Sequence, residues 1–126
     1  MAITFHELCA ESKKNIKECT VEDVLKMLNE NEDFVLIDIR EDNEFNKAHI
    51  KGSRHIGRGI IERDIHLHIH NHDKKIVLYC GGGFRSALAA ESLQKMGYTN
   101  VISMDGGWRR WNQLGGEIET SPEYFE

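Results

Sequence analysis

The sequence predicts an α/β fold with parallel strands, and two observations carry that prediction. Short β-branched apolar runs alternate with segments of helical period along the chain. The runs themselves, DFVLIDIR and KKIVLYC above all, are compact and apolar, as strands covered on both faces of a parallel sheet must be. Right-handed crossovers then join one strand to the next. At 126 residues the chain has length for one domain around a single core.

Taken in order, residues 4–14 read as a short helix with Phe5, Leu8 and Cys9 on one face. Cys19 falls in a short strand or turn. In TVEDVLKMLNE, Thr20 is placed to cap a helix and Asp23 stands at the reciprocal position. Val21, Val24, Leu25 and Leu28 form its apolar stripe. DFVLIDIR is a buried strand, EDNEFNKAHI one or two helical turns, and GSRHI a short strand. GIIERDIHLHI places Ile61, Ile65 and Ile69 at helical spacing. KKIVLYC is a second buried strand that ends on Cys80. RSALAAESLQKMGY is a helix rich in Ala and Leu, stopped by Gly97. NVISM supplies another strand, and GGWRRWNQLGG a last helix closed by Gly115 and Gly116. The only proline, Pro122, lies in the tail ETSPEYFE, which is expected to fray.

Composition narrows the function. A net charge of -5, with no basic run interleaved with aromatics, argues against nucleic acid as a partner. No stretch of about 18 apolar residues is present to span a membrane, and the first residues lack the pattern of a signal peptide. Three cysteines, Cys9, Cys19 and Cys80, are an odd number without metal-ligand spacing. They suit a reducing, cytoplasmic compartment and at least one free thiol. HLHIHNHD pairs His66 with His70 and His68 with His72 at four-residue spacing. No cysteine or carboxylate pattern completes a closed metal site there, so an exposed helix face is expected and no metal.

YCGGGFRSALAA concentrates the chemistry. Ligands of open α/β sheets gather beyond the carboxyl ends of the strands, and Cys80 sits at such an end. Glycines at 81, 82 and 83 permit backbone angles closed to other residues, so loop amides can turn inward ahead of the next helix. The same field lowers a cysteine from about 8.5 to roughly 3.5–7.5 and makes it a nucleophile. Arg85 adds a fixed charge and a planar fork for an oxyanion. Cys9 and Cys19 are read as structural.

Three stretches together resemble the single-domain rhodanese family of sulfurtransferases: VLIDIREDNEFNKAHIKGS, IVLYCGGGFRSALAAESLQKMGY and VISMDGGWRRW. The resemblance implies a three-layer α/β/α fold with a central, mostly parallel five-stranded sheet. It divides the chain into a helical extension at 1–15, the rhodanese-like domain at 16–118 and a tail at 119–126. It implies that Cys80 takes sulfane sulfur from thiosulfate or a persulfide, holds it as a persulfide and passes it to cyanide or a thiol. The amides of Gly81, Gly82, Gly83, Phe84, Arg85 and Ser86 would stabilise the charged sulfur, with no metal or organic cofactor. Partners would be these small molecules or a protein that gives or takes sulfur, and the chain a monomer or weak dimer. Cys80 to Arg85 spans six residues, whereas the related cell-cycle phosphatases and arsenate reductases use a loop one residue longer. Some rhodanese-like domains serve instead as carrier or interaction modules, usually where the cysteine is lost.

Supporting residues follow from the same match. Asp38 and Arg40 fit the family's D-x-R at a strand end, where Asp38 could accept loop amides or pair with an arginine. Glu41, Glu44 and His49 are expected to fix a helix and turn. Arg58 and Arg63 are candidates for attracting an anionic donor, against the plainer reading of solvated helix charges. Trp108, after two glycines, would wall the site, and Trp111 would be core.

Overall fold

The computed structural model describes residues 1–121. Its elements are α1 (Phe5–Lys13), β1 (Lys17–Cys19), α2 (Val21–Asn29), β2 (Val35–Asp38), α3 (Asp42–Lys47), β3 (Ala48–Ile50), β4 (Arg54–His55), α4 (Ile61–His68), β5 (Ile76–Tyr79), α5 (Phe84–Lys95), β6 (Val101–Met104), α6 (Gly107–Gln113) and β7 (Ile118–Thr120). Five strands form one parallel sheet in the order β1-β6-β5-β2-β4, as an α/β chain with crossovers requires. All five therefore end on the same edge. β5 is the middle strand, so Cys80 emerges between the ends of β2 and β6.

Side-chain alternation along β5 explains the three layers. Ile76, Leu78 and Cys80 point into one buried cluster with Ile61 and Ile65 of α4 and Ala89, Ala90 and Leu93 of α5. Val77 and Tyr79 point into the other, with Val21, Val24 and Met27 of α2 and Trp111 of α6. Thr20 and Asp23 form a capping box at the start of α2, and Thr4 with Glu7 forms another at the start of α1.

Four expectations about local structure are corrected. In α2 the buried residues are Val21, Val24 and Met27, while Leu28 is exposed, because the helix turns its i, i+3, i+6 row to the sheet. In α1 only Cys9 and Ser12 are buried; Phe5 and Leu8 remain largely exposed, since α1 packs mainly against α5 along one narrow side. Helix α4 stops at His68, where Ile69 turns to an extended backbone so that its side chain stays in the core. His66 and His70 therefore share no helix face, nor do His68 and His72, although all four are exposed. Residues 119 and 120, assigned to the tail, pair within β7 against β3 in a small antiparallel sheet. Pro122 lies outside the described residues.

Candidate active site

The Cys80 loop is held between a fully buried strand and the helix that follows it. β5 is buried along its length, and α5 begins at Phe84 with Gly83 as its N-cap. Within this turn Cys80 is only 1% exposed. Its Sγ accepts the amides of Gly83 at 3.2 Å and Ser86 at 3.4 Å, and the Ser86 hydroxyl lies 3.6 Å away. Burial, the largest single influence, pushes the thiol up. The Ser86 hydroxyl and the amides of Ser86, Gly83 and Gly82 outweigh it and hold Cys80 below the ordinary thiol value. The other two cysteines go the opposite way. Burial pushes Cys19 up to about 12, and burial followed by the neighbouring Cys80 raises Cys9. Cys9, expected to be structural, is buried with its thiol 3.6 Å from the Phe84 carbonyl at the head of α5.

Behind Ser86 stands a residue that its position in VISM gave no reason to single out. Ser103, fully buried on β6, places its Oγ 2.8 Å from Ser86 Oγ. A thiolate can only accept, so an ionised Cys80 makes Ser86 the donor and leaves Ser86 oxygen to receive the Ser103 hydroxyl. Ser103→Ala is therefore expected to move the pH profile of Cys80 alkylation upward and slow alkylation by iodoacetamide several-fold at neutral pH. An unshifted profile would remove Ser103 from the relay.

Loop amides face inward because the carbonyls are tied outward. Trp108 N donates to Cys80 O at 2.8 Å, and Arg109 N donates to Gly81 O at 3.0 Å. This close approach needs Gly107: a Cβ there would overlap the Cys80 carbonyl oxygen and stand 2.9 Å from the carbonyl carbon of Gly81. Gly83 is required twice over, by φ +99° and by Asp105, whose Oδ1 would lie 3.1 Å from an added Cβ. Gly81 and Gly82 differ from the expectation for all three. Neither has a positive φ, and added Cβ atoms would meet only side chains, at 3.4 Å or beyond. Their value is the absence of bulk rather than an unusual backbone.

Around this cradle the predicted supporting residues divide. Asp38 and Arg40 form a buried bidentate pair, with Nη2 2.7 Å from Oδ2 and Nε 3.0 Å from the same oxygen. Asp38 thus holds Arg40, not the loop amides. Arg40 also donates to Ala48 O at 2.6 Å and lies 4.4 Å over the Trp108 ring, so it carries the order of the β2 end across to α6. Trp108 is half-buried beside the loop, and Trp111 is core. Arg85 runs back along the loop, its Nη2 lying 3.4 Å from where a Cβ on Gly81 would stand, and pairs with Glu44 at 3.4 Å.

Glu44 helps to fix the start of α3 by accepting the Glu41 amide at 3.0 Å, but its pair with Arg85 was not legible: the two are 41 positions apart. Burial raises the Glu44 carboxyl, and the Glu41 amide, Arg85 and Arg40 together bring it below the usual carboxylate range. His49 stacks on Phe45 and bonds its carbonyl, fixing the turn. Phe84 is exposed at the mouth, with Lys13 over its ring. Arg58 and Arg63 are each paired with a carboxylate close by in the chain, Arg58 with Glu62 at 3.1 Å and Arg63 with Asp64 at 2.7 Å. Among the described residues no group of three or more His, Cys, Asp or Glu side chains is placed to hold a metal, and no helix is long and apolar enough to cross a membrane.

The chain is similar to known proteins in both sequence and fold. The family model of the rhodanese-like domain matches residues 20–114. The thiosulfate sulfurtransferase GlpE of Pseudoalteromonas translucida is 33% identical over 100 residues, which cover 75% of this chain and 88% of that one. The uncharacterized protein YqhL of Bacillus subtilis is 39% identical over 85 residues, 67% of this chain. The chain spans 63% of YqhL and 56% of its longer relative YrkF from the same organism. A solved structure from Rhodopseudomonas palustris, described as a protein of unknown function and possible tyrosine phosphatase, is 32% identical with TM-score 0.83. It covers 94% of this chain and 96% of its own.

Proposed function

Because the chain belongs to the rhodanese-like domain family, we propose that it is a sulfurtransferase that carries sulfane sulfur on Cys80. The observation that supports this most directly is a buried thiol held below its ordinary value by inward amides, while both other cysteines are pushed up. The ionised Cys80 attacks the sulfane sulfur of a donor. With thiosulfate the S–S bond breaks, sulfite leaves with the electron pair, and the sulfur stays on Cys80 as a persulfide. The amides of Gly82, Gly83 and Ser86 face the sulfur and stabilise its charge. An acceptor thiolate or cyanide then attacks the outer sulfur, and Cys80 leaves as a thiolate, which is ping-pong chemistry. The cysteine itself is the carrier, so the reaction needs no metal or organic cofactor. A protein thiol could replace either small molecule.

Intact-mass and peptide mass spectrometry after incubation with thiosulfate test the proposal. One added sulfur, about 32 Da, is expected on Cys80 and not on Cys9 or Cys19, because Cys80 alone of the three is held below its ordinary thiol value. An unmodified Cys80 with thiosulfate and with glutathione persulfide alike would refute it. The description of the Rhodopseudomonas palustris structure motivates a second reading, phosphoryl transfer by the same cysteine. Hydrolysis of p-nitrophenyl phosphate without any persulfide would favour it. The six-residue loop, which the family resemblance associates with sulfur rather than phosphate, favours the first.

A further inference from the structure

Two arginines near the Cys80 loop carry the same charge and are held in opposite ways. Arg40 is 4% exposed and is locked on Asp38 through both Nε and Nη2. The Arg85 side chain is 33% exposed. Among the described residues Glu44 is the one acceptor within hydrogen-bond distance of its guanidinium, through Nη1 at 3.4 Å. Partly exposed pairs of this length hold weakly, whereas Arg40 cannot leave Asp38 without stranding a buried charge. Arg85 is therefore the cation that an arriving anion can claim. Its position suits that use, since Nη2 lies 3.4 Å from where a Cβ on Gly81 would stand, next to the cysteine.

Glu44 is built to release its partner. Its Oε1 also accepts the Glu41 amide at 3.0 Å, a shorter bond that anchors the carboxylate to the start of α3 whether or not Arg85 is present. Burial opposes its charge, but the Glu41 amide, Arg85 and Arg40 outweigh burial, so the carboxylate is ionised at neutral pH. Lys47 follows three positions later on α3 and is exposed. Glu44 and Lys47 both line a cavity of about 270 Å³, together with Arg40 and Trp108. Residues three apart are neighbours on a helix surface, so a carboxylate that leaves Arg85 meets a second cation in the same space.

We infer that Glu44 is a displaceable counter-ion: it fills the Arg85 fork until an oxyanion takes its place, and it then swings toward Lys47. On the sulfurtransferase reading of the site, on which this rests, Glu44 sets how well a donor with an oxyanion end, such as thiosulfate, competes with a donor that has none. A dianion must displace Glu44 and also approach its charge. A donor held through sulfur alone meets neither obstacle. Guanidinium forks match the oxygens of such an anion, so the exchange trades one long contact for two aligned ones. Glu44 acts through Arg85 on binding, as a positioning residue, and belongs in KM rather than kcat.

Three probes test this on the full chain: thiosulfate, 2-hydroxyethyl persulfide as a donor without an oxyanion, and sulfate as an unreactive oxyanion that shields Cys80 from iodoacetamide. Glu44→Gln keeps an oxygen for the Glu41 amide and removes only the charge. It is expected to lower KM for thiosulfate about fivefold at unchanged kcat, the size of a partly exposed ion pair. KM for 2-hydroxyethyl persulfide should stay within about twofold. Sulfate should protect Cys80 in Glu44→Gln at about one-fifth of the concentration needed in the wild type. Lys47→Gln is expected to raise KM for thiosulfate about twofold in the wild type and to have no effect in Glu44→Gln. An unchanged KM for thiosulfate in Glu44→Gln, an equal fall for both donors, or a Lys47→Gln effect that persists without Glu44 would each overturn the inference. Stronger sulfate protection in Glu44→Gln without sulfur transfer from either donor would instead support the counter-ion role and overturn the sulfurtransferase reading.

Discussion

Gly107→Ala is expected to lower sulfur transfer at least about a hundredfold, although Gly107 lies 27 positions beyond Cys80 on another strand–helix turn. The new methyl group would overlap the Cys80 carbonyl oxygen and press on the Gly81 carbonyl carbon, and both are backbone atoms that no rotamer change can clear. Either the loop or the start of α6 must withdraw. In both cases the bonds from Trp108 N to Cys80 O and from Arg109 N to Gly81 O lengthen, and the loop carbonyls are freed to turn inward. The amides that lower the Cys80 thiol then lose their aim, and displacements of about 1 Å are enough for losses of this size. The left-handed backbone at Gly107, φ +52°, adds a conformational cost of about 1 kcal/mol. Thiocyanate formation from thiosulfate and cyanide measures the activity, and the alkylation pH profile of Cys80 reports the cradle in the same protein. Gly82→Ala is the comparison, since its Cβ meets ordinary contacts and leaves the fold intact. Near-wild-type activity in Gly107→Ala would show that the α6 turn does not shape the loop.

Asp38→Ala is expected to destabilise the domain by about 3–5 kcal/mol, read as a fall in the urea midpoint at neutral pH. The physical cause is the group left behind. Arg40 is 4% exposed, and without Asp38 its guanidinium keeps only Ala48 O and the Trp108 and Tyr79 rings as partners. A buried charge without a counter-ion costs more than the pair contributed. Removing both, as Asp38→Leu with Arg40→Met, should therefore cost less than removing Asp38 alone. A single-variant loss below about 1 kcal/mol would mean that water reaches Arg40 readily. Because Arg40 stacks on Trp108, the residual activity of Asp38→Ala also reports how firmly the wall of the site is held.

Both predictions concern residues whose type was legible and whose partners were not. Asp38 and Arg40 stood out two apart at a strand end, and their pairing is local enough to be among the readings of the sequence. Gly107 was visible as part of a glycine turn, but nothing in DGGW tells which backbone it will touch. Ser103 and Glu44 are ordinary residues in an α/β sequence. Each acquires a role through one contact between distant segments: Ser103 with Ser86 and Glu44 with Arg85. Where local pattern was overread, the cause was also tertiary. The histidine spacing ran past the end of α4 because Ile69 is pulled into the core, and Leu28 faces water because α2 turns Met27 to the sheet.

By itself the sequence determined the alternation of strands and helices, their caps, the two-sided burial of β2 and β5, and a cysteine followed by a glycine loop at the head of a helix. These are short-range properties, set by hydrophobic period, capping chemistry and backbone freedom within a few residues. Tertiary structure decided the order β1-β6-β5-β2-β4, which puts the cysteine strand at the centre and brings the turn before α6 against its loop. That contact ties the carbonyls outward and requires Gly107, while the pairing of β6 with β5 sets Ser103 behind Ser86. The reason is geometric: parallel strands end on a common edge, so side chains and amides far apart in the chain converge only once the crossovers have closed.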